Sequence, residues 1–293
     1  MQARKRTGGK KPKVGYQGVD GAYSQMAARE YFGKSAETYG APTFEHLINE
    51  VRQNRADYGF LPIENSVAGR VTDAHHLLAH SKLVVVGEHF MPIKHMLVGV
   101  KGAKLGDVKR VYSHPQALAQ CSNFLKALGV EAVPFGDTAD AVRHIAQKGD
   151  VSVAAVASKL AAETYPGATI LRDNIQNRSD NVTRFLVIRK GNGEEHPTGD
   201  VITSISYTVR NIPAALYKSL SGFATTGINI INLESFVPMT NGGDASFYLE
   251  FEGSPDSPMG RVAVEELGYY AKNVDVLGVY KKSPYRKILS AKA

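Results

Sequence analysis

Apolar positions along residues 14–189 follow two spacings in alternation. Short apolar runs such as residues 58–63 are typical of buried strands, and most are followed by segments with apolar residues at helical spacing. In residues 44–51 the apolar side chains fall at i, i+3, i+4 and i+7, and Thr43 stands where an N-cap is expected. The predicted strands are residues 14–17, 58–63, 83–100 with a break at Pro92, 110–112, 132–135, 151–157, 170–172 and 183–189. The predicted helices are residues 24–32, 44–51, 72–80, 115–128, 138–147 and 159–164.

Repeated strand–helix alternation predicts α/β architecture with largely parallel sheets and helices on both faces. The break near Pro92 divides this region into two sheets, and residues 183–189 are predicted to return to the first. We therefore expect a two-lobed region over residues 14–190, similar to periplasmic binding proteins, with a cleft between the lobes. Ligands of open α/β sheets usually lie where strands end, which directs attention to such a cleft.

A second domain is predicted after a linker. Residues 191–199 are polar and rich in turn formers. Beyond them the pattern gives β-α-β-β-α-β, which is the ferredoxin-like order and belongs to the α+β class. This domain is expected to cover residues 200–283. Its predicted elements are strand 201–209, helix 213–226, strand 228–236, turn 240–243, strand 245–252, helix 261–271 and strand 274–280.

The net charge of +7 does not indicate a nucleic-acid-binding protein. Six of the 35 basic residues lie within residues 1–13, which contain no acidic residue, and the rest of the chain is nearly neutral with 29 basic and 28 acidic residues. We expect residues 1–13 to be a disordered basic tail and not a secretory signal, because no apolar segment follows. No apolar run is long enough to span a membrane. The single cysteine, Cys121, fits a reducing cytoplasm and excludes an intrachain disulfide.

Four polar clusters lie where strands and loops meet in the two-lobed region. The Gly-rich turn of residues 21–24 enters a helix, so its amides are candidates to receive a carboxylate. The others are residues 62–66, residues 113–116 together with Gln120, and residues 183–185. Each alone is more typical of turns and caps than of catalysis. Their recurrence at strand ends favours a functional role over four separate caps.

Other reactive side chains have simpler interpretations. His75 and His76 are adjacent, which is not the spacing that places two ligands on one helix face, so no metal site is predicted. Cys121 lies on an apolar helix stripe and is interpreted as core. His114 precedes a helix-starting proline and is expected to cap or pack.

The four clusters resemble successive motifs of the prephenate dehydratases. These are Gly-Ala-Tyr-Ser at residues 21–24, Pro-Ile-Glu-Asn-Ser at 62–66, Ser-His-Pro-Gln at 113–116 and Thr-Arg-Phe at 183–185. The small C-terminal domain resembles the ACT regulatory domain that follows the catalytic region in that family. The resemblance covers residues 14–283 and implies conversion of prephenate to phenylpyruvate in phenylalanine biosynthesis, without metal or organic cofactor.

The resemblance also implies roles for individual residues. Thr183 would donate a proton or hydrogen bond to the departing hydroxyl, and Asn65, Gln120 and Glu64 would join it in catalysis. The two substrate carboxylates would need cationic and amide partners. The residues expected to contact substrate are Arg184, Ser113, Phe185, Ala22, Tyr23 and Ser24.

The same resemblance implies that the C-terminal domain binds L-phenylalanine as a feedback effector and that the protein is a homodimer or homotetramer. The sequence departs from the family pattern there, because Ala214 replaces a usual glycine and residues 236–237 are Phe-Val where Arg-Pro is typical. The expected effector-binding residues are Ala214, Ala215, Leu216, Asn229, Leu233, Glu234 and Ser235.

Two alternatives stay open on the sequence. Arogenate dehydratase uses the aminated substrate, and no residue decides between the two substrates. A non-catalytic ligand-binding sensor would share the two-lobed fold. It would not need the combination of Thr183, Asn65 and Gln120, and this combination favours an enzyme.

Overall fold

The computed structural model of the protein describes residues 11–191, 196–236 and 244–291. Most of the predicted basic tail, the centre of the predicted linker (residues 192–195) and the predicted turn at residues 240–243 lie outside the described residues. The helices are α1 Tyr23–Phe32, α2 Phe44–Arg52, α3 Thr72–Ala79, α4 Pro115–Gln120, α5 Ser122–Leu128, α6 Thr138–Lys148, α7 Lys159–Thr164, α8 Ala215–Ser219, α9 Ser221–Thr226, α10 Pro258–Tyr270 and α11 Tyr285–Ser290.

The strands within the described residues form three sheets. Most of the bounds agree with the predicted segments within a few residues. The strands are β1 Lys13–Gln17, β2 Glu37–Ala41, β3 Tyr58–Asn65, β4 Gly69–Arg70, β5 Val84–Pro92, β6 Met96–Val100, β7 Arg110–Ser113, β8 Glu131–Pro134, β9 Val153–Ala157, β10 Ala168–Arg172, β11 Val182–Arg189, β12 Val201–Val209, β13 Ile230–Phe236, β14 Ser246–Glu252 and β15 Ala271–Lys281.

The first sheet has the strand order β2-β1-β3-β11-β5, with β4 paired to β3. The predicted return of residues 183–189 to this sheet is confirmed, because β11 lies between β3 and β5. β1 pairs in parallel with both β2 and β3. The sequence pattern did not predict β2, because four of its five residues are exposed or partly buried and they show little apolar alternation.

The second sheet has the order β10-β6-β9-β7-β8. β7 runs parallel to β8 and β9, as predicted, whereas β6 runs antiparallel to β9 and β10. The expectation of largely parallel pairing is therefore wrong for β6. β6 follows β5 after three residues, with no crossover helix between them, so nothing imposes the parallel direction of a β-α-β unit. Apolar cores on this sheet include Val98, Ile145 and Leu125.

The third sheet has the order β13-β14-β12-β15, and all its pairs are antiparallel. With α8, α9 and α10 it follows the predicted β-α-β-β-α-β order. Its core includes Phe223, Leu249 and Leu267, all nearly or fully buried. The final helix, α11, was not predicted.

Two predicted helices are each divided in two. The helix expected over residues 115–128 is interrupted at Cys121, whose backbone (φ −115°, ψ 11°) departs from helical geometry. The helix expected over residues 213–226 is interrupted at Leu220 (φ −94°, ψ −6°) and begins only at Ala215. Apolar spacing continued through both interruptions, so periodicity alone did not reveal them.

The described chain forms two compact units. Among the described residues, one comprises residues 11–50, 56–71 and 90–185, and the other comprises residues 51–55, 72–89, 186–191, 196–236 and 244–291. The boundary between them passes through β5 and β11. The polar clusters lie in the first unit, and the third sheet lies in the second.

Candidate active site

Asn65, at the end of β3, contacts the start of β11, and this contact brings together two of the sequence-predicted residues, Asn65 and Thr183. Its Oδ1 accepts hydrogen bonds from the backbone amides of Val67 (3.0 Å) and Ala68 (2.8 Å). Its Nδ2 donates to Oδ1 of Asn181 (2.7 Å) and to Oγ1 of Thr183 (2.9 Å). β3 and β11 are neighbours in the sheet. Asn65 therefore meets Asn181 and Thr183 at one end of the sheet, although they lie 116 and 118 positions away in the sequence.

Gln120 extends this contact to a second element. Its Oε1 accepts from Nδ2 of Asn181 (3.2 Å) and lies 2.7 Å from Nε2 of His95. Nδ1 of His95 lies 2.6 Å from the hydroxyl of Tyr23. We call the connected residues Tyr23, His95, Gln120, Asn181, Asn65 and Thr183 the cleft network.

Burial controls the protonation of the network. His95 is 2% exposed, and this desolvation lowers its pKa from the ordinary histidine value, partly opposed by its bond to Gln120. Burial also raises the pKa of Tyr23 well above that of a free tyrosine. Both side chains are therefore neutral near pH 7.

A cleft of about 260 Å³ lies beside the network. Gln120, Asn181 and Gln116 line it with polar groups, and Val67 adds an apolar contact. Among the described residues that line the cleft, Arg178 is the charged one, and its guanidinium is paired with Asp180 (2.6 and 2.9 Å). Thr183 is 9% exposed and is connected to the lining residue Asn181 by two hydrogen bonds through Asn65.

The Gly-rich turn before α1 offers fewer amides than predicted. The Gly21 amide donates to Oε1 of Gln25 (2.6 Å), and the Ala22 amide donates to the carbonyl of Val19 (3.1 Å). The amides of Tyr23 and Ser24 lie in the first turn of α1, where no intrahelical acceptor exists, and no side chain caps that end. Only this part of the predicted amide cluster is suited to an anion.

The cluster at residues 113–116 is divided between interior and surface. Ser113 is fully buried, and its hydroxyl donates to the carbonyl of Val156 (2.6 Å), so the structure does not place it where a substrate could contact it. His114 caps α4 by accepting from the Gln116 amide (3.3 Å). Gln116 is exposed at the cleft.

Neighbours on β11 point to opposite faces of the sheet, and this separates the predicted Thr-Arg pair. Thr183 contacts Asn65, whereas Arg184 is buried with its Cζ 5.9 Å from the ring centroid of Phe90. Phe185 is 1% exposed and stacks on Phe60 at 5.0 Å. The structure thus gives Arg184 and Phe185 interior positions.

Glu64 is exposed at the end of β3 and pairs in register with Arg70 of β4. It takes no part in the cleft network. Cys121 is fully buried, and its burial raises the thiol pKa to about 12. This environment fits the core interpretation and leaves no reactive thiolate.

The predicted effector-binding residues lie at two places in the third-sheet domain. Ala214 precedes α8, and Ala215 and Leu216 open it. Asn229 precedes β13, whose strand contains Leu233, Glu234 and Ser235. Leu216 and Leu233 both pack against the core of this domain.

No group of three or more histidine, cysteine or acidic side chains in the described ranges is arranged to hold a metal ion. None of the helices in the described part of the chain combines the length and apolar character needed to cross a membrane.

Sequence reasoning missed several network and cleft residues. His95 lies between β5 and β6, and its partners Tyr23 and Gln120 are 72 and 25 positions away, so no local pattern marks it. Asn181 stands two positions before Thr183 in a polar loop, and that proximity was the available signal. Arg178 lies in the same loop.

The chain is similar to known proteins over most of its length. The prephenate dehydratase family model matches residues 14–193. A bifunctional N-acyl-homoserine lactone acylase/prephenate dehydratase from Komagataeibacter europaeus is 38% identical over 275 residues, covering 94% of this chain and 97% of that protein. Arogenate dehydratase/prephenate dehydratase 1 of Arabidopsis thaliana is 36% identical, covering 92% of this chain and 72% of that protein.

Solved structures give the same result. A structure described as GqqA, a quorum-quenching acylase, aligns with a TM-score of 0.88 at 38% identity, covering 94% of this chain and 99% of that chain. A prephenate dehydratase from Arthrobacter aurescens in complex with L-Phe aligns with a TM-score of 0.84 at 26% identity, covering 96% of this chain and 97% of that chain. The family model and the relatives define the class of protein as a carbon–oxygen lyase. The chain belongs to the prephenate dehydratase family.

Proposed function

We propose that this protein converts prephenate to phenylpyruvate, carbon dioxide and water, with the reaction taking place at the cleft beside Thr183. The observation that carries the proposal is the contact between Asn65 and Thr183. Because Asn65 donates to Oγ1 of Thr183, the threonine hydrogen is left to point elsewhere, and Thr183 has no acceptor for it among the described residues.

The chemistry requires such a donor. When the ring carboxylate leaves as carbon dioxide, its electron pair enters the ring and the ring hydroxyl departs as the ring becomes aromatic. The departing hydroxide must gain a proton to leave as water. A hydroxyl that already accepts a hydrogen bond from Asn65 is oriented to donate in this step. We assign that donation to Thr183, and the proton that Thr183 gives up to the departing hydroxide is replaced from solvent water before the next turnover.

Substrate binding needs partners for two carboxylates. The open amides of Tyr23 and Ser24 lie at the N-terminus of the ten-residue helix α1, where the helix dipole favours an anion. Arg178 supplies a guanidinium at the cleft once its exposed pairing with Asp180 is exchanged for substrate. Arg184 is assigned a structural role in this proposal, because it is buried and follows Thr183 on the strand.

The test is turnover of prephenate by the wild-type protein and by Thr183→Ala. A general acid contributes about 100- to 10,000-fold, so Thr183→Ala is expected to lower kcat by that order while the protein stays folded. Thr183→Ser keeps the hydroxyl and is expected to retain much of the activity. The control is Thr164→Ala, which removes a threonine hydroxyl bonded to the Leu160 carbonyl (2.7 Å) in α7.

Phenylpyruvate formation would be followed directly, with circular dichroism to verify folding. Near-wild-type kcat in folded Thr183→Ala would remove Thr183 from the mechanism. Absence of turnover by the folded wild-type protein would leave a ligand-binding role as the better account.

Two other substrates belong in the same assay. Arogenate is included because arogenate dehydratases are similar to this chain over more than nine-tenths of its length. An N-acyl-homoserine lactone is included because the Komagataeibacter europaeus relative is named for its acylase activity as well. The ratio of kcat/KM values among the three substrates decides between them.

We further propose that the third-sheet domain is an ACT regulatory domain that binds L-phenylalanine and supports a homodimer or homotetramer in the cytoplasm. Its β-α-β-β-α-β order and the L-Phe complex of the Arthrobacter aurescens relative support this assignment. Inhibition of prephenate turnover by added phenylalanine, with sedimentation to measure subunit number, is the corresponding test. Unchanged turnover at saturating phenylalanine would contradict the regulatory role.

A further inference from the structure

The direction of every hydrogen bond in the cleft network follows from two backbone amides. Amides of Val67 and Ala68 can only donate, and both lie within 3.0 Å of one terminal atom of the Asn65 side chain, which must therefore be its oxygen. The other terminal atom is the nitrogen, and it donates to Asn181 and Thr183.

The orientation of Asn65 determines the oxygen and nitrogen positions of the next side chains in the network. Oδ1 of Asn181 accepts from Asn65, so Nδ2 of Asn181 faces Gln120 and donates to it at 3.2 Å. The Gln120 atom that accepts is thus its oxygen, and Nε2 of His95 must carry the hydrogen that bonds to this oxygen at 2.7 Å. In the neutral ring Nδ1 is then an acceptor, and the Tyr23 hydroxyl donates to it at 2.6 Å, with the Lys94 carbonyl as a longer second acceptor at 3.2 Å.

We propose that His95 and Tyr23 are positioning residues that hold the Gln120 carboxamide in one orientation, with its Nε2 hydrogens presented to a carboxylate or hydroxyl oxygen of the substrate. Oε1 of Gln120 accepts two hydrogen bonds, one from His95 and one from Asn181. The Gln120 nitrogen has no hydrogen-bond acceptor among the described residues, and Gln120 lines the cleft.

The surroundings of His95 leave the ring little freedom to rotate. Its backbone amide donates to Oε1 of Gln176 (3.0 Å), and its carbonyl accepts from the Ile175 amide (3.0 Å). The Tyr23 ring meets the imidazole edge-on at a centroid distance of 5.5 Å and an angle of 88°. The backbone of His95 is fixed by hydrogen bonds, and its buried ring contacts Tyr23 and Gln120. Such a ring is suited to fixing the direction of the Gln120 side-chain amide.

The identity of the substrate atom rests on the proposed function, so the first experiment uses prephenate turnover. His95→Leu removes the donor to Gln120, and its kcat/KM is expected to fall by about tenfold, the order of one hydrogen bond. His95→Gln returns an amide donor and is expected to recover part of that loss. Tyr23→Phe keeps the ring packing and tests the same network if His95→Leu does not fold.

The decisive comparison is made in a Gln120→Ala background. If His95 acts through Gln120, His95→Leu or Tyr23→Phe is expected to change kcat/KM by less than about twofold there, because residues of one network are not additive. Full additivity would overturn the proposal. Tyr165→Phe is the matched control, since it removes a tyrosine hydroxyl bonded to the Asp20 carbonyl (2.7 Å) outside the network, and its activity is expected to be unchanged.

A second measurement does not depend on activity. Nitrogen-15 NMR of the histidine side chains, with the His95 signals identified by their loss in His95→Gln, reports which ring nitrogen carries the hydrogen. We expect hydrogen on Nε2 in the wild-type protein and a mixture of forms in Tyr23→Phe. Hydrogen on Nδ1 in the wild type would reverse the Gln120 carboxamide and overturn the proposal, even if prephenate proves not to be the substrate.

Discussion

Ala214 occupies a backbone conformation that most side chains avoid. Its φ of 59° and ψ of 28° lie in the left-handed region, immediately before α8. The Cβ of an L-residue there approaches the following carbonyl oxygen, which costs roughly 1–2 kcal/mol. The resemblance to the prephenate dehydratases implies glycine at this position, and glycine adopts a left-handed backbone without this cost.

Ala214→Gly is therefore expected to stabilise the protein. Relief of the left-handed strain is partly offset by the greater freedom of glycine in the unfolded chain, so the expected net gain is about 0.5–1 kcal/mol in the free energy of unfolding. Urea denaturation measures it, with Ala224→Gly as the control in helix α9, where the same change is expected to destabilise. A loss of stability in Ala214→Gly would contradict the strain argument.

Individual residues of the site were predictable to different degrees. Asn65, Gln120 and Thr183 carry motif positions, and the structure brings them into one network. Ser113 has an equally strong motif position but lies in the interior. A serine at a strand end has the same local sequence whether its hydroxyl faces solvent or a buried carbonyl. Only the neighbouring strand, β9, decides between them.

Among the elements, β5 and α11 are joined by a charge pair. Nε and Nη2 of Arg286 donate to the two carboxylate oxygens of Glu88 at 2.7 and 2.8 Å, and the Ser283 amide adds a bond of 2.9 Å. The Glu88 side chain is buried. Such a carboxylate depends on its partners, because an uncompensated buried charge is costly.

Arg286→Ala is expected to destabilise the protein by about 3 kcal/mol, the lower end of the range for breaking a buried pair, since Ser283 still donates to Glu88. The double variant Glu88→Gln with Arg286→Ala removes the buried charge as well and is expected to regain part of that loss. Thermal denaturation of the three proteins gives the comparison. Equal stabilities of the wild type and Arg286→Ala would show that the pair contributes nothing.

Most elements could be predicted, and the misses have physical causes. Thr43 caps α2 as expected, since a threonine before an amphipathic run has few other roles. The interruption at Cys121 was not predictable from the apolar stripe, because Cys121 is buried like its helical neighbours. The antiparallel direction of β6 depends on its connection to β5, which strand propensity does not report.

At the scale of the whole molecule, the second compact unit contains residues 51–55 and 72–89 together with the described residues from 186 onward. Within it, the His75 and Tyr248 rings meet edge-on at 5.3 Å, and a side chain larger than hydrogen at Gly278 would collide with the Val85 carbonyl. Segments distant in sequence thus pack closely in this unit. The domain boundary at residue 190 stays a prediction.

A chain that ends at Lys190 is expected to be markedly less stable than the full-length protein. It would lose the packing partners of residues 72–89, including Arg286 and the strand that contains Gly278. Limited proteolysis is expected to cleave first within residues 72–89, and the melting temperature is expected to fall. A chain that ends at Ser283 is the comparison: it loses α11 with Arg286 and is expected to lose about as much stability as Arg286→Ala, whereas it retains β15. If the chain that ends at Lys190 has the same melting temperature as the full-length protein, the first region is stable without the residues that follow it.

The Asx turn formed by Asn65 with the amides of Val67 and Ala68 has a consequence for the energetics of ligand binding. A set of hydroxyls and carboxamides usually has several proton arrangements of similar energy, and an arriving ligand must select one of them. Here the two amides fix the direction of the side-chain hydrogen bonds that link Tyr23, His95, Gln120, Asn181 and Asn65, and within the network the Thr183 hydrogen stays free to turn toward a ligand. The site therefore loses little configurational entropy and needs little dipole reorientation when a ligand arrives.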